Sequence, residues 1–192
     1  MTALDDAPRL QPADRADWRH WLAANHASAS GVWLVSFTKA SGRATLGYDE
    51  SVEEALCFGW IDSTARPLDH DRRMIYFAPR RPGGTWARSN KDRVERLVAS
   101  GRMTAAGLAV VERAKADGSW TALDPVESMV VPDDLAAAFG AHPRLRRRYE
   151  DLPDSGRKQL LWWVVSAKRE QTRARRIAEL VRRSTGDQAL LP

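Results

Sequence analysis

The stretch EEALCFGWIDSTARPLDHDRRMIYFAPRRPGGTWARSN, residues 53–90, decides the expected fold. Its first residues have the apolar spacing of a helix that ends at Gly59, where a left-handed backbone costs glycine little. Two apolar runs follow, at residues 58–61 and 74–78, and polar residues stand directly at their ends. These runs predict two strands, near residues 59–66 and 73–78, that present polar side chains at their tips.

The neighbouring segments extend this pattern on both sides. The stretch GVWLVSFTK, residues 31–39, alternates with the period of a strand and predicts a third strand near residues 32–38. Side chains that can cap a helix stand before four helical patterns, at Asp14, Asp49 or Ser51, Ser89 or Asn90, and Thr104. The expected fold class is therefore α+β, with a small, mostly antiparallel sheet, packed helices and an all-helical C-terminal segment.

The apolar pattern also predicts a core and a division of the chain. We expect Trp33, Leu56, Trp60 and Phe77 to be largely buried in one cluster, because they lie on the apolar sides of the central elements. A proline-punctuated stretch at residues 120–132 indicates a linker to the C-terminal helices. The predicted organisation is a loose tail at 1–13, an α+β domain at 14–131, a helical segment at 132–186 and a tail at 187–192.

Composition narrows the class of protein. The chain has 192 residues, a formal net charge of +5 and a single cysteine, Cys57. One cysteine cannot form an internal disulfide, and it fits a reducing cytosol. No apolar run approaches the ~20 residues that a membrane helix needs, and the N-terminus lacks the apolar segment of a signal peptide. We therefore expect a cytoplasmic protein without membrane insertion.

Several motifs resemble those of a known family. The runs EALCFGWIDS (54–63), FAPRRP (77–82) and WARSN (86–90) look like the YdeI/OmpD-associated family, whose members are also called bacteriocin-protection proteins. The run AKREQTRARRIAELV (167–181) is similar to that family's second hallmark, a helix of the form A-K-x-x-x-T-R-x-R-R-I. The resemblance extends from about Trp18 to about Gly186, and it implies a protective role in antimicrobial peptide resistance and stress response. It carries over no catalytic residue.

Polar residues at the ends of the central strands form the candidate ligand site. Because apolar segments end near them on both sides of one turn, we expect them to converge on a concave site. Arginine there would favour an anionic ligand or protein partner. The predicted ligand-binding residues are Asp62, Ser63, Arg66, Asp69, Arg80, Arg81, Trp86 and Asn90. The alternative is a structural ion-pair network among the same aspartates and arginines.

An enzyme remains a second hypothesis for this cluster. Asp69-His70-Asp71 could provide a general base, since a carboxylate can orient an imidazole, although neighbours in a strand point to opposite faces. Ser63 lacks a nucleophile elbow, and RPGGT at 81–85 lacks the lysine and the spacing of a phosphate-binding loop. Four dispersed histidines and one cysteine predict no metal cluster. We therefore assign no catalytic residue, metal or cofactor, and favour a binding protein.

The last predicted helix has a basic face. Residues 140–192 hold 13 Lys or Arg and 6 Asp or Glu, whereas residues 1–139 hold 17 and 19. At 100° per residue, an apolar stripe of Ala174, Ile177, Ala178 and Val181 lies opposite the cations. The predicted basic patch comprises Lys168, Arg169, Arg173, Arg175, Arg176, Arg182 and Arg183.

Three functional hypotheses follow from these patterns. The first, favoured through the resemblance, is a cytoplasmic protective protein that binds an anionic ligand or partner. The second is an enzyme of unassigned reaction that uses the central Asp/Ser/Arg cluster. The third is a protein that associates non-specifically with nucleic acid through its basic patch, because arginine forks bind phosphates. Those arginines could instead dock on acidic residues of the chain itself, and nucleic-acid affinity would then be lost.

Overall fold

The computed structural model describes residues 4, 6–186 and 188–191. The chain forms two compact units, Met1–Thr121 and Ala122–Pro192. The first unit contains the strands Arg9–Leu10 (β1), Val32–Phe37 (β2), Trp60–Pro67 (β3) and Arg72–Pro79 (β4), and the helices Arg15–Asn25 (α1), Tyr48–Cys57 (α2), Arg88–Ala99 (α3) and Ala105–Ala116 (α4). The second unit contains the helices Asp124–Glu127 (α5), Asp133–Ala141 (α6), Pro143–Glu150 (α7), Asp154–Val165 (α8) and Glu170–Ser184 (α9).

The four strands form one sheet in the order β1-β2-β4-β3. Strand β4 pairs antiparallel with both β2 and β3, so the predicted α+β class and its three strands are confirmed. Strand β1 pairs in parallel with β2, and it lies within the stretch predicted as a loose tail. That prediction is therefore wrong for Arg9 and Leu10, because two residues are too few to show a strand period.

The sheet separates two apolar clusters in the first unit. Leu56, Trp60 and Phe77 are buried together with α1 and α2, as the sequence predicts. Trp33 is also buried, but it packs with Met74 on the opposite face of the sheet. The prediction of a single cluster is therefore wrong for Trp33. Successive residues of a strand face opposite sides of the sheet, so Trp33 faces away from the main core when its neighbours in β2 face toward it.

Local signals position three helix ends as predicted. The Asp14 carboxylate accepts a hydrogen bond from the backbone near the start of α1, and the Thr104 hydroxyl does the same for α4. Gly59 follows α2 with a φ of 75°, the left-handed region that glycine enters freely. Helix α2 instead begins after Gly47, and α3 begins after Ala87. The predicted caps of these two helices are therefore wrong, because the residues lie inside the helices. They are Asp49 or Ser51 for α2 and Ser89 or Asn90 for α3.

One buried carboxylate ties α1 and α2 to the segment before α4. Glu54 is 0% exposed and accepts hydrogen bonds from Arg15 Nε at 2.5 Å and Arg19 Nη1 at 2.6 Å. Arg102 donates a third bond to the same carboxylate. A buried carboxylate costs several kcal/mol unless it is paired, so these arginines are required for α2 to pack where it does.

The second unit is helical throughout its regular structure and has a separate core. Its buried residues include Leu135, Leu145 and Leu161, and α9 contributes Leu180, which is 0% exposed. Val126 of α5 belongs to this core as well, so the unit begins before the predicted boundary at residue 132. No helix among the described residues is long and apolar enough to cross a membrane.

Trp60 provides a test of the main core. Its ring is 1% exposed, and its indole N–H donates to the His26 carbonyl at 3.1 Å. Replacing Trp60 by alanine leaves a cavity and removes this bond, so we expect a loss of about 3–5 kcal/mol in urea unfolding. The control is Val98→Ala on α3, where the side chain is 50% exposed and the expected change is within about 0.5 kcal/mol. Equal effects of the two substitutions would contradict this assignment of the core.

Candidate functional site

Arg80 occupies a fixed position directly after β4. Its backbone N–H donates to the Gly59 carbonyl at 2.9 Å, which extends the pairing of β3 and β4 by one step. Its guanidinium carbon lies 3.7 Å from the centre of the buried Trp86 ring, a cation–π contact. Arg80 Nη2 also donates to the Thr85 carbonyl at 2.7 Å. These contacts orient the guanidinium before any ligand arrives.

The charge on Arg80 is only weakly compensated. Burial lowers the pKa of its guanidinium to about 10, and the negative charge of Asp62 acts against that shift. Asp62 exerts this effect without forming an ion pair with Arg80; its carboxylate accepts instead from Tyr48 Oη at 2.9 Å. Across the described part of the chain, no carboxylate lies within ion-pairing distance of Arg80.

The loop after Arg80 surrounds a very small cavity. Arg81 and Arg113 line this cavity, whose volume of about 10 Å³ is enough for one water molecule. The Asp117 carboxylate accepts from Gly83 N at 3.2 Å and from Ser119 N at 2.9 Å. Bonds to Ser119 and to the Gly83 amide hold the pKa of Asp117 below its usual value. Asp117 therefore fastens the loop to the end of α4.

Asp62 and Asn90 belong to a second polar group, around the start of α2. Arg93 on α3 donates to Asn90 Oδ1 at 3.0 Å and to Asp49 Oδ1 at 2.6 Å. Tyr48, the first residue of α2, holds Asp62 as described above. Asp62 and Asn90 thus use side-chain oxygens for contacts within the protein, and their partners Tyr48 and Arg93 lie outside the predicted site.

The remaining predicted residues lie elsewhere. Asp69, in the turn between β3 and β4, pairs with Arg72 at 2.6 Å. Arg66 lies over the Trp33 ring at 5.1 Å, on the face of the sheet away from the main core. Ser63 is exposed. Strands β3 and β4 have 8 residues each, which is a length of roughly 26 Å. Side chains at the turn that joins these strands therefore cannot meet side chains at the opposite end of the pair, where Arg80 lies.

The Asp-His-Asp sequence does form a pair, contrary to expectation. His70 Nδ1 lies 2.8 Å from Asp71 Oδ1, because both residues lie in a turn and not in a strand. The His70 side chain is 99% exposed and borders an open surface depression together with Phe37 and Arg43. Burial raises the pKa of the Cys57 thiol, which keeps that residue in its unreactive form.

The apolar side of α9 is rotated from the predicted one. Ala174 and Ala178 are exposed, whereas Leu180 and Ser184 are buried. This rotation brings several predicted patch arginines beside the helical core instead of leaving them in solvent. The sequence pattern was misleading because the aliphatic parts of long arginine side chains can cover apolar surface.

Four arginines of the basic patch make contacts within the second unit. Arg173 bonds both carboxylate oxygens of Asp134, at 2.5 and 2.9 Å. Arg176 donates to the Trp163 carbonyl and to Ser166 Oγ. Arg182 and Arg183 both bond Glu179. The patch members that are exposed and have no partner among the described residues are Lys168, Arg169 and Arg175.

The charge asymmetry of the sequence also depends on where the chain is divided. With the structural boundary, residues 1–121 hold 17 Lys or Arg and 15 Asp or Glu, and residues 122–192 hold 13 and 10. The net charges of the two units are therefore similar, at +2 and +3. The excess of cations after residue 140 is balanced in part by acidic residues at the start of the same unit.

Two family models match the chain. Residues 10–110, a span of 101 of the 192 residues, match a family described as a domain of unknown function (DUF8412). Residues 128–185 match the family described as bacteriocin-protection, YdeI or OmpD-associated, which confirms the resemblance for the C-terminal hallmark. The central motifs at 54–90 fall in the first match, and the C-terminal motif at 167–181 falls in the second. Neither family model therefore covers both sets of motifs. No curated protein and no solved structure matches the chain.

Two adjacent arginines of α9 test the internal role of the basic patch. Arg176 bonds Trp163 and Ser166 and stacks on the Trp163 ring at 5.3 Å, whereas Arg175 is exposed. We expect Arg176→Ala to lower the free energy of unfolding by about 1–3 kcal/mol, because it removes two part-buried hydrogen bonds and a cation–π contact. Arg175→Ala, the matched control, should change it by less than about 0.5 kcal/mol. Urea unfolding of each variant measures both effects.

A salt titration of duplex DNA binding checks the alternative. If the patch is structural, the protein should show a slope near zero when log affinity is plotted against log salt. Neutralisation of about five phosphates would instead give a slope near −4.5, at ~0.9 per contact. That slope, reduced by about two units in an Arg175→Ala, Arg176→Ala double variant, would contradict the internal role and support nucleic-acid binding.

Glu179 predicts a pH dependence for the second unit. Hydrogen bonds from Arg182 and Arg183 lower the pKa of its carboxyl from 4.5 to about 2. Since the folded pKa is the lower one, this stabilisation is complete above pH 4.5 and is lost as the pH falls through 2. Wild-type protein should therefore be more stable than Glu179→Gln at pH 7, and the difference should shrink to nothing near pH 2. Urea unfolding at several pH values measures it; a difference independent of pH would contradict the assignment.

Proposed function

We propose that this chain, which belongs to the family described as a domain of unknown function (DUF8412), is a protective protein that acts by binding an anionic partner at Arg80. The protective role is suggested by the second family match, whose description is bacteriocin protection. The binding role is suggested by the chemistry around Arg80. The two parts of the proposal can be tested separately.

The unused hydrogen-bond donors of Arg80 carry the binding part. A guanidinium has five N–H donors. Among the described residues, the Arg80 side chain forms one hydrogen bond, to the Thr85 carbonyl. Its π-face is already stacked on Trp86. Because this stacking fixes the donor fork, an incoming carboxylate or phosphate would cost little conformational entropy.

Charge around the loop favours the same partner. Arg81 and Arg113 line the cavity beside Arg80, and neither has an ion-pair partner among the described residues. Asp117, the carboxylate of this cavity, accepts from backbone amides of the loop and of Ser119 and also interacts with Arg113 through its charge, so one carboxylate faces three arginines. Burial depresses the pKa of Arg80, so a bound anion would restore favourable interaction with its charged form.

The small cavity indicates how the anion would be presented. A volume of about 10 Å³ admits one water molecule but no organic ligand. The anionic group must therefore approach from outside, as an acidic side chain on the surface of another protein does. We also propose a cytoplasmic location, because a single cysteine that remains a free thiol fits a reducing compartment.

Arg80→Gln tests the binding part. We expect wild-type protein to bind a hexaglutamate peptide saturably at low salt, where exposed charges are least screened, and the variant to bind about tenfold more weakly. Isothermal titration calorimetry measures the affinity, and a melting curve confirms that the variant is folded. Arg146→Gln is the matched control, since Arg146 is an exposed arginine paired with Glu150 at 2.8 Å. Equal affinity of the wild type and both variants would contradict binding at Arg80.

A survival assay tests the protective part. Bacteria that express the wild-type protein should survive a bacteriocin challenge better than bacteria that carry an empty vector. Arg80→Gln should remove this advantage at equal expression, and Arg146→Gln should keep it. No advantage from the wild type would contradict the protective role, whereas full protection by Arg80→Gln would separate that role from the Arg80 site.

A further inference from the structure

A larger groove lies in the first unit, at the end of β2. Its volume of about 680 Å³ falls within the range of small-molecule sites, unlike the cavity beside Arg80. Phe37, Leu46 and Tyr48 give it a mainly apolar lining. The arginine of β4 that reaches it is Arg73. None of these residues belongs to the site predicted from the sequence.

The groove lies beyond the part of β2 that β1 covers. Strand β1 pairs with Trp33 and Leu34, and the segment that follows β2 forms one wall of the groove. In this segment Thr45 Oγ1 accepts a hydrogen bond from Phe37 N at 3.1 Å, and Leu46 is buried in the main core. The wall is therefore anchored at two points, and the space between it and β4 is open.

The charge at the groove is positive on balance. Asp49 is bonded to Arg93 at 2.6 Å, and the Glu50 carboxylate, which keeps its negative charge, accepts the Gly47 backbone N–H at 3.1 Å. Lys39 and Arg73 are exposed and have no ion-pair partner in the described part of the chain. An anionic group would therefore be attracted to the Lys39 and Arg73 side of the groove, next to its apolar lining.

An unpaired hydroxyl also borders the groove. Thr38 Oγ1 is buried and has no hydrogen-bond partner among the described residues. A buried hydroxyl without a partner costs about 1–3 kcal/mol.

We infer that this groove binds a small amphipathic anion, a single carboxylate on an apolar chain or ring. The carboxylate pairs with Lys39 and Arg73, and the apolar part packs on Leu46 and Tyr48. Lone charges at a surface contribute little affinity, and the apolar lining provides the larger share. This inference does not depend on the proposed binding of a partner at Arg80, because the two sites share no residue.

Titration with octanoate and with octanol tests the inference. These probes have the same chain length and differ in the charge of the head group. We expect octanoate to bind saturably and to shift the NMR signals of backbone amides between residues 37 and 50. Octanol should bind about fivefold more weakly, the factor expected for one or two exposed ion pairs.

A Lys39→Gln, Arg73→Gln double variant assigns the head-group site. It should bind octanoate about fivefold more weakly than the wild type does and should bind octanol unchanged. Arg146→Gln is the control for loss of a surface arginine, and hexaglutamate binding at Arg80 should be unaffected in the double variant. Equal binding of octanoate and octanol, equal octanoate binding by wild type and double variant, shifts confined to other residues, or no saturable binding would each overturn the inference.

Discussion

The buried carboxylate of Glu54 is the constraint on which the first unit depends. It is 0% exposed, and three arginines from α1 and from the segment before α4 bond to it. Removing all three arginines would leave this carboxylate unpaired in the core, where an uncompensated charge is strongly destabilising. The network therefore links α2 to α1 and to the segment before α4 through charge-assisted hydrogen bonds of defined geometry.

Once α2 is fixed, both of its ends position residues of the candidate sites. At its C-terminal end, the carbonyl of Gly59 accepts the backbone N–H of Arg80, which sets the guanidinium over Trp86. At its N-terminal end, Tyr48 forms part of the groove and also bonds Asp62. One helix thus positions two separate candidate sites, one for an anionic group of a larger partner and one for a small amphipathic anion.

The arginines of this chain differ in what they do, although their chemistry is the same. Arg15, Arg19 and Arg102 compensate a buried carboxylate, and Arg173 binds Asp134. Arg80 has an aromatic ring and a carbonyl as its neighbours instead, so most of its donors stay unused. Net charge alone cannot separate these cases. An arginine is a candidate for ligand binding when it is held in place and not neutralised.

The sequence by itself determined the fold class, three strands, the helix ends at Asp14, Gly59 and Thr104, and the family of the C-terminal hallmark. These features depend on periodicity and capping within about ten residues, which a single chain displays directly. Tertiary structure alone decided the partners of Glu54, the face taken by Trp33, and which of Arg175 and Arg176 is internal. The reason is physical: such contacts join residues far apart in sequence, as with Glu54 and Arg102, and the packing of whole elements selects them.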